Sequence, residues 1–510
     1  MDNKESVILD ELFLYSANLN DYLLNKEGSG ERLSFIDHYV FQTSSYIVSL
    51  INNKININRN SICSAFIIRS LIECISVIRM YMAGDIKEES TDLLNEYNFI
   101  VEYDIYKKYK DLDGKAFSMN QIEENYQKAK GKYKKYSSLS NKELKRLIKS
   151  KLPFLLDEFS FDEIIKKYCK DYYHFYQTLS VIIHPGDLLL TYPKLQGLNF
   201  QPLLARLAGD FLEIINKEYA ETKISTKKNL ASEKHLILDC SINISYLDYA
   251  AKEKEELYKA AKDIEKEFGE NTDSYLFKEL GNSIEEIAYD KTFGSSEIVK
   301  CKVKPIIEMS AFGHYIDKIE FSTSNSQILA KLVTKQTRIR LMDIEGVDSK
   351  DEADKAFELY KKIKPEISRD EYDDSFKYGL GFIPEKPSIN KFVEDYIDSI
   401  IPKSDIFNQH MKMVYDESQF LSHAEGYMIS CNTGAFMEYS PVMVFIDICA
   451  ESMLDSYIDM LKIHDIIEND NKYSSIIKAL SCYLSSLKNL AQKKNEMDKK
   501  FNDCKTNYVG

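Results

Sequence analysis

Apolar side chains recur along this 510-residue chain at intervals of three and four, and glycine and proline, at 18 and 10, are too scarce to interrupt that rhythm often. Such spacing lines apolar groups along one stripe of an α-helix, so the chain is expected to be nearly all-helical. The segment from Ser61 shows the pattern well. Ile62, Ala65, Phe66, Arg69, Glu73 and Val77 fall near one stripe, Ser61 is suited to cap its start and Gly84 to end it. Two-residue alternation, the mark of strands, surfaces only briefly, in HLILDCSINIS from His235 and EIVKCKV from Glu297, which leaves room there for small strands or extended links.

The order of these helical segments repeats. IIRSLIE ending at Glu73, YQTLSVIIHPG from Tyr176 and PLLARLAGDFLEII from Pro202 are matched by VKPIIE ending at Glu308, YDESQFLSHAEG from Tyr415 and PVMVFIDICAESML from Pro441. Glu73 and Glu308 lie 235 residues apart, and the pairs Tyr176/Tyr415, His184/His423 and Pro202/Pro441 each lie 239 apart. Matches of the rare His and Pro at one offset, with apolar patterns that agree behind both prolines, point to an internal duplication.

The expected architecture is therefore all-α, two tandem diverged helical-bundle modules followed by a C-terminal helix. The first module covers 1–220, a polar linker ETKISTKKNLASEK covers 221–234, the second copy covers 235–470, and an amphipathic helix and tail cover 471–510. On that last helix Ile476, Ile477, Leu480, Leu484, Leu487 and Ala491 form a narrow apolar seam. A seam of this kind packs back onto the body or pairs with a partner, including a second copy of the chain.

Composition narrows the function classes. The opening MDNKESVILDEL lacks the basic start and apolar run of a secretory signal, and apolar runs such as PVMVFIDICA are broken by acids before a bilayer-spanning length. Nine cysteines are scattered with no CxxC pair, as in reduced thiols packed in a cytoplasmic protein, so no metal site is expected. A net charge of -14 excludes a protein that coats nucleic acid with its whole surface. A local contact is compatible with residues 107–151, which hold 14 Lys/Arg against 5 Asp/Glu. There Lys107, Lys108, Lys132, Lys134, Lys135 and Arg146 are candidate RNA-binding residues, interleaved with Tyr109, Tyr126, Tyr133 and Tyr136. The alternative is a solvated lysine-rich hairpin. No Walker loop, GxGxxG, GxSxG or HExxH is found, and no cofactor is expected.

The repeated polar positions are the candidates for chemistry. Arg69 and Glu73 are one helical turn apart on an otherwise apolar face, and Lys304 and Glu308 restate that spacing. His184, followed by Pro185 and Gly186, is expected at a helix C-terminus, with His423 in a comparable place before Gly426. Convergence of Arg69, Glu73 and His184, and of Glu308 and His423 with Lys304 in place of the arginine, would make an acid/base set suited to phosphodiesters. The competing reading makes the same groups a hydrogen-bonded staple between helices.

RSLIE at 69–73, followed by Tyr176, Ser180 and His184 in YQTLSVIIHPG, resembles a bacterial helical family, domain of unknown function 5677. That family is distantly similar to the HEPN superfamily of helical nucleotide-binding and ribonuclease modules, many of them in toxin–antitoxin and abortive-infection systems. The resemblance implies an antiphage or toxin-like effector that cleaves or binds RNA without a metal. HEPN ribonucleases carry an Arg and a His with four to six residues between them. The closest pair here is Arg32 and His38, with Leu33 where a polar residue usually follows the arginine. The alternative function is a non-catalytic helical sensor or scaffold that binds a protein partner or a nucleotide signal.

Overall fold

The computed structural model describes residues 34–56, 60–86, 119–132, 139–149, 161–183, 188–219, 233–293, 296–320, 324–376, 389–421, 439–468 and 471–508, with isolated positions within 15–29 and 96–109. Among them every regular element is a helix. The two stretches of alternating sequence are no exception. HLILDCSINIS lies within a helix over Glu233–Phe268 and EIVKCKV within one over Ser296–Glu320, so both are helical and neither forms a small strand. In both places the alternation is a few residues inside a helix of 36 or 25, and the periodicity of the longer segment prevails.

In the first half, α1 (Phe35–Asn56) and α2 (Ile62–Met82) are followed by α3 (Met119–Lys132), α4 (Asn141–Lys149), α5 (Phe161–Tyr168), α6 (Tyr173–Ile182), α7 (Leu188–Gly197) and α8 (Phe200–Glu218). In the second, α9 (Glu233–Phe268), α10 (Thr272–Phe293), α11 (Ser296–Glu320), α12 (Ser324–Ile344), α13 (Lys350–Lys361), α14 (Arg369–Phe376), α15 (Ile389–Ile400), α16 (Ile406–Leu421) and α17 (Tyr439–Glu468) precede α18 (Ser474–Tyr508).

Each half is organised around one central helix. α2 packs against α1, α5, α6 and α8, and α11 packs against α10, α15, α16 and α17. α2 is buried without a break from Ile62 to Ile78, which requires a helix apolar on nearly every face rather than on one stripe. Its ends follow the sequence expectation. The Ser61 side chain accepts from the Ser64 amide, a cap that contributes about 1 kcal/mol, and Gly84, at φ 77°, takes the left-handed conformation after the last turn.

The halves meet through α1 and α2 against α10 and α11. At the buried start of α2, Ser61 donates to Glu286, the Ile62 amide donates to Glu279, and Ser64 donates to Glu286 at 3.0 Å. The positive end of the α2 dipole thus faces two carboxylates of α10. Lys302 of α11 compensates Glu286 at 2.6 Å and donates to Ser49 of α1 at 3.2 Å. Burial is the main reason that the Glu279 carboxyl is pushed up to about 8, with the nearby Glu286 adding to it.

The C-terminal helix lies on the body of the second half, against α9 and α17, and Leu480, Leu484, Leu487 and Ala491 of its seam are buried there. The apolar stripe available to a partner in the sequence is therefore used within the chain. Lys494 of the same helix, 1% exposed, reaches Glu253 of α9 at 2.5 Å and Asp447 of α17 at 2.6 Å.

Candidate functional site

Of the residues singled out in the sequence, Arg69 and Glu73 meet as a buried ion pair on α2, 2.9 Å apart. α6 supplies two further partners. Arg69 Nη2 donates to the Tyr176 hydroxyl at 3.2 Å, Arg69 Nε donates to Ser180 at 3.0 Å, and the Tyr176 hydroxyl donates to Glu73 Oε1 at 3.1 Å. Ser180 passes its own proton to the Tyr176 carbonyl at 2.8 Å. Burial works against the charge on Arg69, yet Glu73 and Tyr176 outweigh it and hold the guanidinium more firmly protonated than usual. Burial, reinforced by Glu73, raises the Tyr176 phenol above its ordinary range.

The equivalent contact occurs in the second half. Tyr415 of α16 donates to Glu308 of α11 at 3.0 Å, while Lys304 stands 3.9 Å from the same carboxylate oxygen. Lys is a point charge and does not reproduce the fork by which Arg69 reaches three partners. Burial raises the Glu308 carboxyl, opposed by Lys304 and by the bond from Tyr415.

Arg32, His184, His423, Lys134, Lys135 and the side chain of Lys132 lie outside the described residues. His38 is buried on α1. In the basic segment, Lys107 is exposed and rests over the Tyr103 ring at 5.2 Å, and Arg146 is exposed on α4. Lys108 is neutralised by Glu394 at 3.3 Å and Asp416 at 3.0 Å, both from the second half. Of the interleaved tyrosines, the two that are described turn inward. Tyr109 is buried and donates to Asp416 at 2.7 Å, and Tyr126 is buried against Tyr103 with ring centroids 3.7 Å apart. These two rings therefore do not offer free faces for base stacking.

A site that the sequence reading missed lies in the second half. A pocket of about 630 Å³ opens between α11, the end of α15, the start of α16, α17 and α18. Ile400, Phe407, Val444 and Ile448 supply apolar wall, and Ser399, Ser452 and Ser456 line it with hydroxyls. His314 of α11 organises two of them, with Nδ1 2.7 Å from Ser456 Oγ and Nε2 3.1 Å from Ser399 Oγ. Ser399 gives its single proton to the Tyr396 carbonyl at 2.7 Å, so it accepts from His314 Nε2–H. In the neutral imidazole Nδ1 then accepts the Ser456 proton, and in the imidazolium it donates to Ser456. Ser452 donates to the Cys449 carbonyl at 2.9 Å and accepts from the Tyr396 hydroxyl at 2.9 Å.

Glu451, Asp455 and Asp405 bring acid to the same pocket, with Lys488 of α18 opposite them. Burial, then the neighbouring Asp447, pushes the Glu451 carboxyl up to about 7, against the pull of Lys488 and Lys494. A trace of this site is present in the sequence. Glu451/Ser452 and Asp455/Ser456 are two polar pairs one helical turn apart in the otherwise apolar ICAESMLDSYI.

No protein-family model, curated protein or solved structure matches this chain. Among the described residues no helix is long and apolar enough to cross a membrane, and no three His, Cys, Asp or Glu side chains are grouped to hold a metal.

Proposed function

We propose that this chain acts by binding rather than by turnover, as a helical sensor or scaffold. The observation that carries this reading is the burial and mutual pairing of Arg69, Glu73, Tyr176 and Ser180. The charges of Arg69 and Glu73 offset each other, Tyr176 and Ser180 bond to them, and Glu73 is 0% exposed. A general acid or base needs a path to substrate, and an electrophilic arginine needs a free edge. The recurrence of the Tyr-to-Glu bond in the second half, 107 residues apart against 103 in the first, supports an internal duplication in which each copy keeps one polar staple. The equivalent neighbours of α2 and α11 support it too.

Purified full-length protein incubated with total bacterial RNA, followed by sequencing of RNA ends, tests the reading. The expected result is no new ends, with Tyr176→Phe and Glu73→Gln lowering the melting temperature. New ends that vanish in a His184→Ala variant of unchanged melting temperature would overturn it in favour of the ribonuclease that the HEPN resemblance implies.

A further inference from the structure

The polar lining of the pocket beside His314 has a sign that can be read off its hydrogen bonds. Each serine has one proton, and two of the three are committed inside the protein, Ser399 to the Tyr396 carbonyl and Ser452 to the Cys449 carbonyl, while Ser456 pairs with His314 Nδ1. What Ser399 and Ser452 turn toward the cavity is lone pairs. Glu451 and Asp455 have no hydrogen-bond or ion-pair partner among the described residues, and both are acceptors when ionised. Against them stand two donors, Lys488 and the Asn495 amide.

An occupant must therefore bring protons and positive charge. A phosphate or carboxylate would meet lone pairs at Ser399 and Ser452 and the fields of Asp405, Glu451 and Asp455. An ammonium group has three donors and no acceptor, which is the complement of that lining. The half-buried Glu451 supplies its counter-charge, and the aliphatic wall of Ile400, Val444 and Ile448 provides cover for a hydrocarbon body.

We propose that this pocket is a binding site for a small organic amine, an ammonium group carried on a short apolar body. The inference rests on the reading that the chain acts by binding, and it names the class of ligand that such a sensor would take.

Three isosteric probes distinguish the chemistry by calorimetry on the full chain: 3-methylbutylamine, 3-methylbutanol and isovalerate. The amine is expected to bind at 1:1 stoichiometry, about tenfold or more tighter than the alcohol, with no heat from isovalerate. Glu451→Gln should weaken the amine by about tenfold or more, whereas Lys488→Met should leave it equal or tighter. Circular dichroism and the melting temperature report whether each variant is folded, and Ser456→Ala provides a second lesion should Glu451→Gln not fold. Equal affinity for amine and alcohol, tighter binding of isovalerate, or amine affinity unchanged in both Glu451→Gln and Ser456→Ala would overturn the assignment. In those cases binding as the mode of action still stands. Conversion of the amine to a product, seen by mass spectrometry, would instead remove that broader reading and leave the amine site.

Discussion

Tyr415 donates a 3.0 Å hydrogen bond to Glu308 from the opposite side of a helix pair, and both residues are buried. The bond ties α16 to α11 as Tyr176 ties α6 to α2. Removing one hydroxyl while keeping the ring leaves a buried carboxylate short of a donor. Tyr415→Phe is expected to cost about 1 to 3 kcal/mol in chemical denaturation. Tyr176→Phe should cost less than Tyr415→Phe, because Arg69 still holds Glu73 at 2.9 Å whereas Lys304 stands 3.9 Å from Glu308. Equal losses would mean that the arginine does not compensate.

Breaking the Arg69–Glu73 pair from the other side is more severe. Arg69→Met leaves Glu73 charged inside α2 with Tyr176 as its remaining described donor, and the expected loss is about 3 to 5 kcal/mol. The double variant Arg69→Met/Glu73→Leu removes both charges and should recover most of that loss. Denaturation midpoints of the three proteins check it.

Much of this site was legible in the sequence because it is made of residues four apart on one helix, answered by a second helix whose motif repeats at a near-constant offset. Ser61 and Gly84 were legible as helix ends for the same local reason. The pocket was not. His314, Ser399 and Ser456 come from three helices with no common motif, and the polarity of its hydroxyls depends on which carbonyls they find in the fold. The alternation around His235 and Glu297 was too brief to decide between strand and helix, because a few residues of period two occur by chance within long helices.

The pocket carboxyl gives stability a pH dependence. In the folded chain Glu451 is pushed from its ordinary 4.5 up to about 7, so the folded state binds its proton more tightly than the unfolded chain does. That preference favours folding at low pH and is lost as pH rises from about 4.5 through about 7. The groups around it are Asp447 and Asp455 on α17, Lys488 and Lys494 on α18, Glu253 on α9, Asp405 ahead of α16, and His314 on α11. Glu451→Gln should add about 1 to 2 kcal/mol at pH 8, after allowing for solvent screening, and little at pH 4. Denaturant titrations at the two pH values measure this, and a gain of equal size at both would contradict it.

Gly313 marks the closest approach of α11 to its neighbours. A Cβ built there falls 2.5 Å from Leu276 Cδ2 and from Met453 Cε, both on buried side chains. Gly313→Ala is expected to destabilise the protein by about 1 to 3 kcal/mol. The cost of that methyl should be smaller in a Met453→Ala background, where it occupies vacated space, although Met453→Ala itself opens a cavity and destabilises. Thermal unfolding of the single and double variants separates steric crowding from any intrinsic effect of the residue.

Lys494 compensates two buried carboxylates at once. Lys494→Met should cost about 3 to 5 kcal/mol, because it leaves Glu253 and Asp447 facing each other without a cation. Hydrogen exchange should show the loss first along α18 and the stretches of α9 and α17 beneath it. Uniform loss of protection across both halves would argue against a local role.

The position of Lys494 also orders events during synthesis. Glu253 leaves the ribosome 241 residues before it and Asp447 leaves 47 residues before it. Until α18 emerges, closure of α9 against α17 buries these two acids without their lysine. Burial, then Asp447, already pushes the Glu253 carboxyl up to about 8, so an early closure takes up a proton that Lys494 later makes unnecessary.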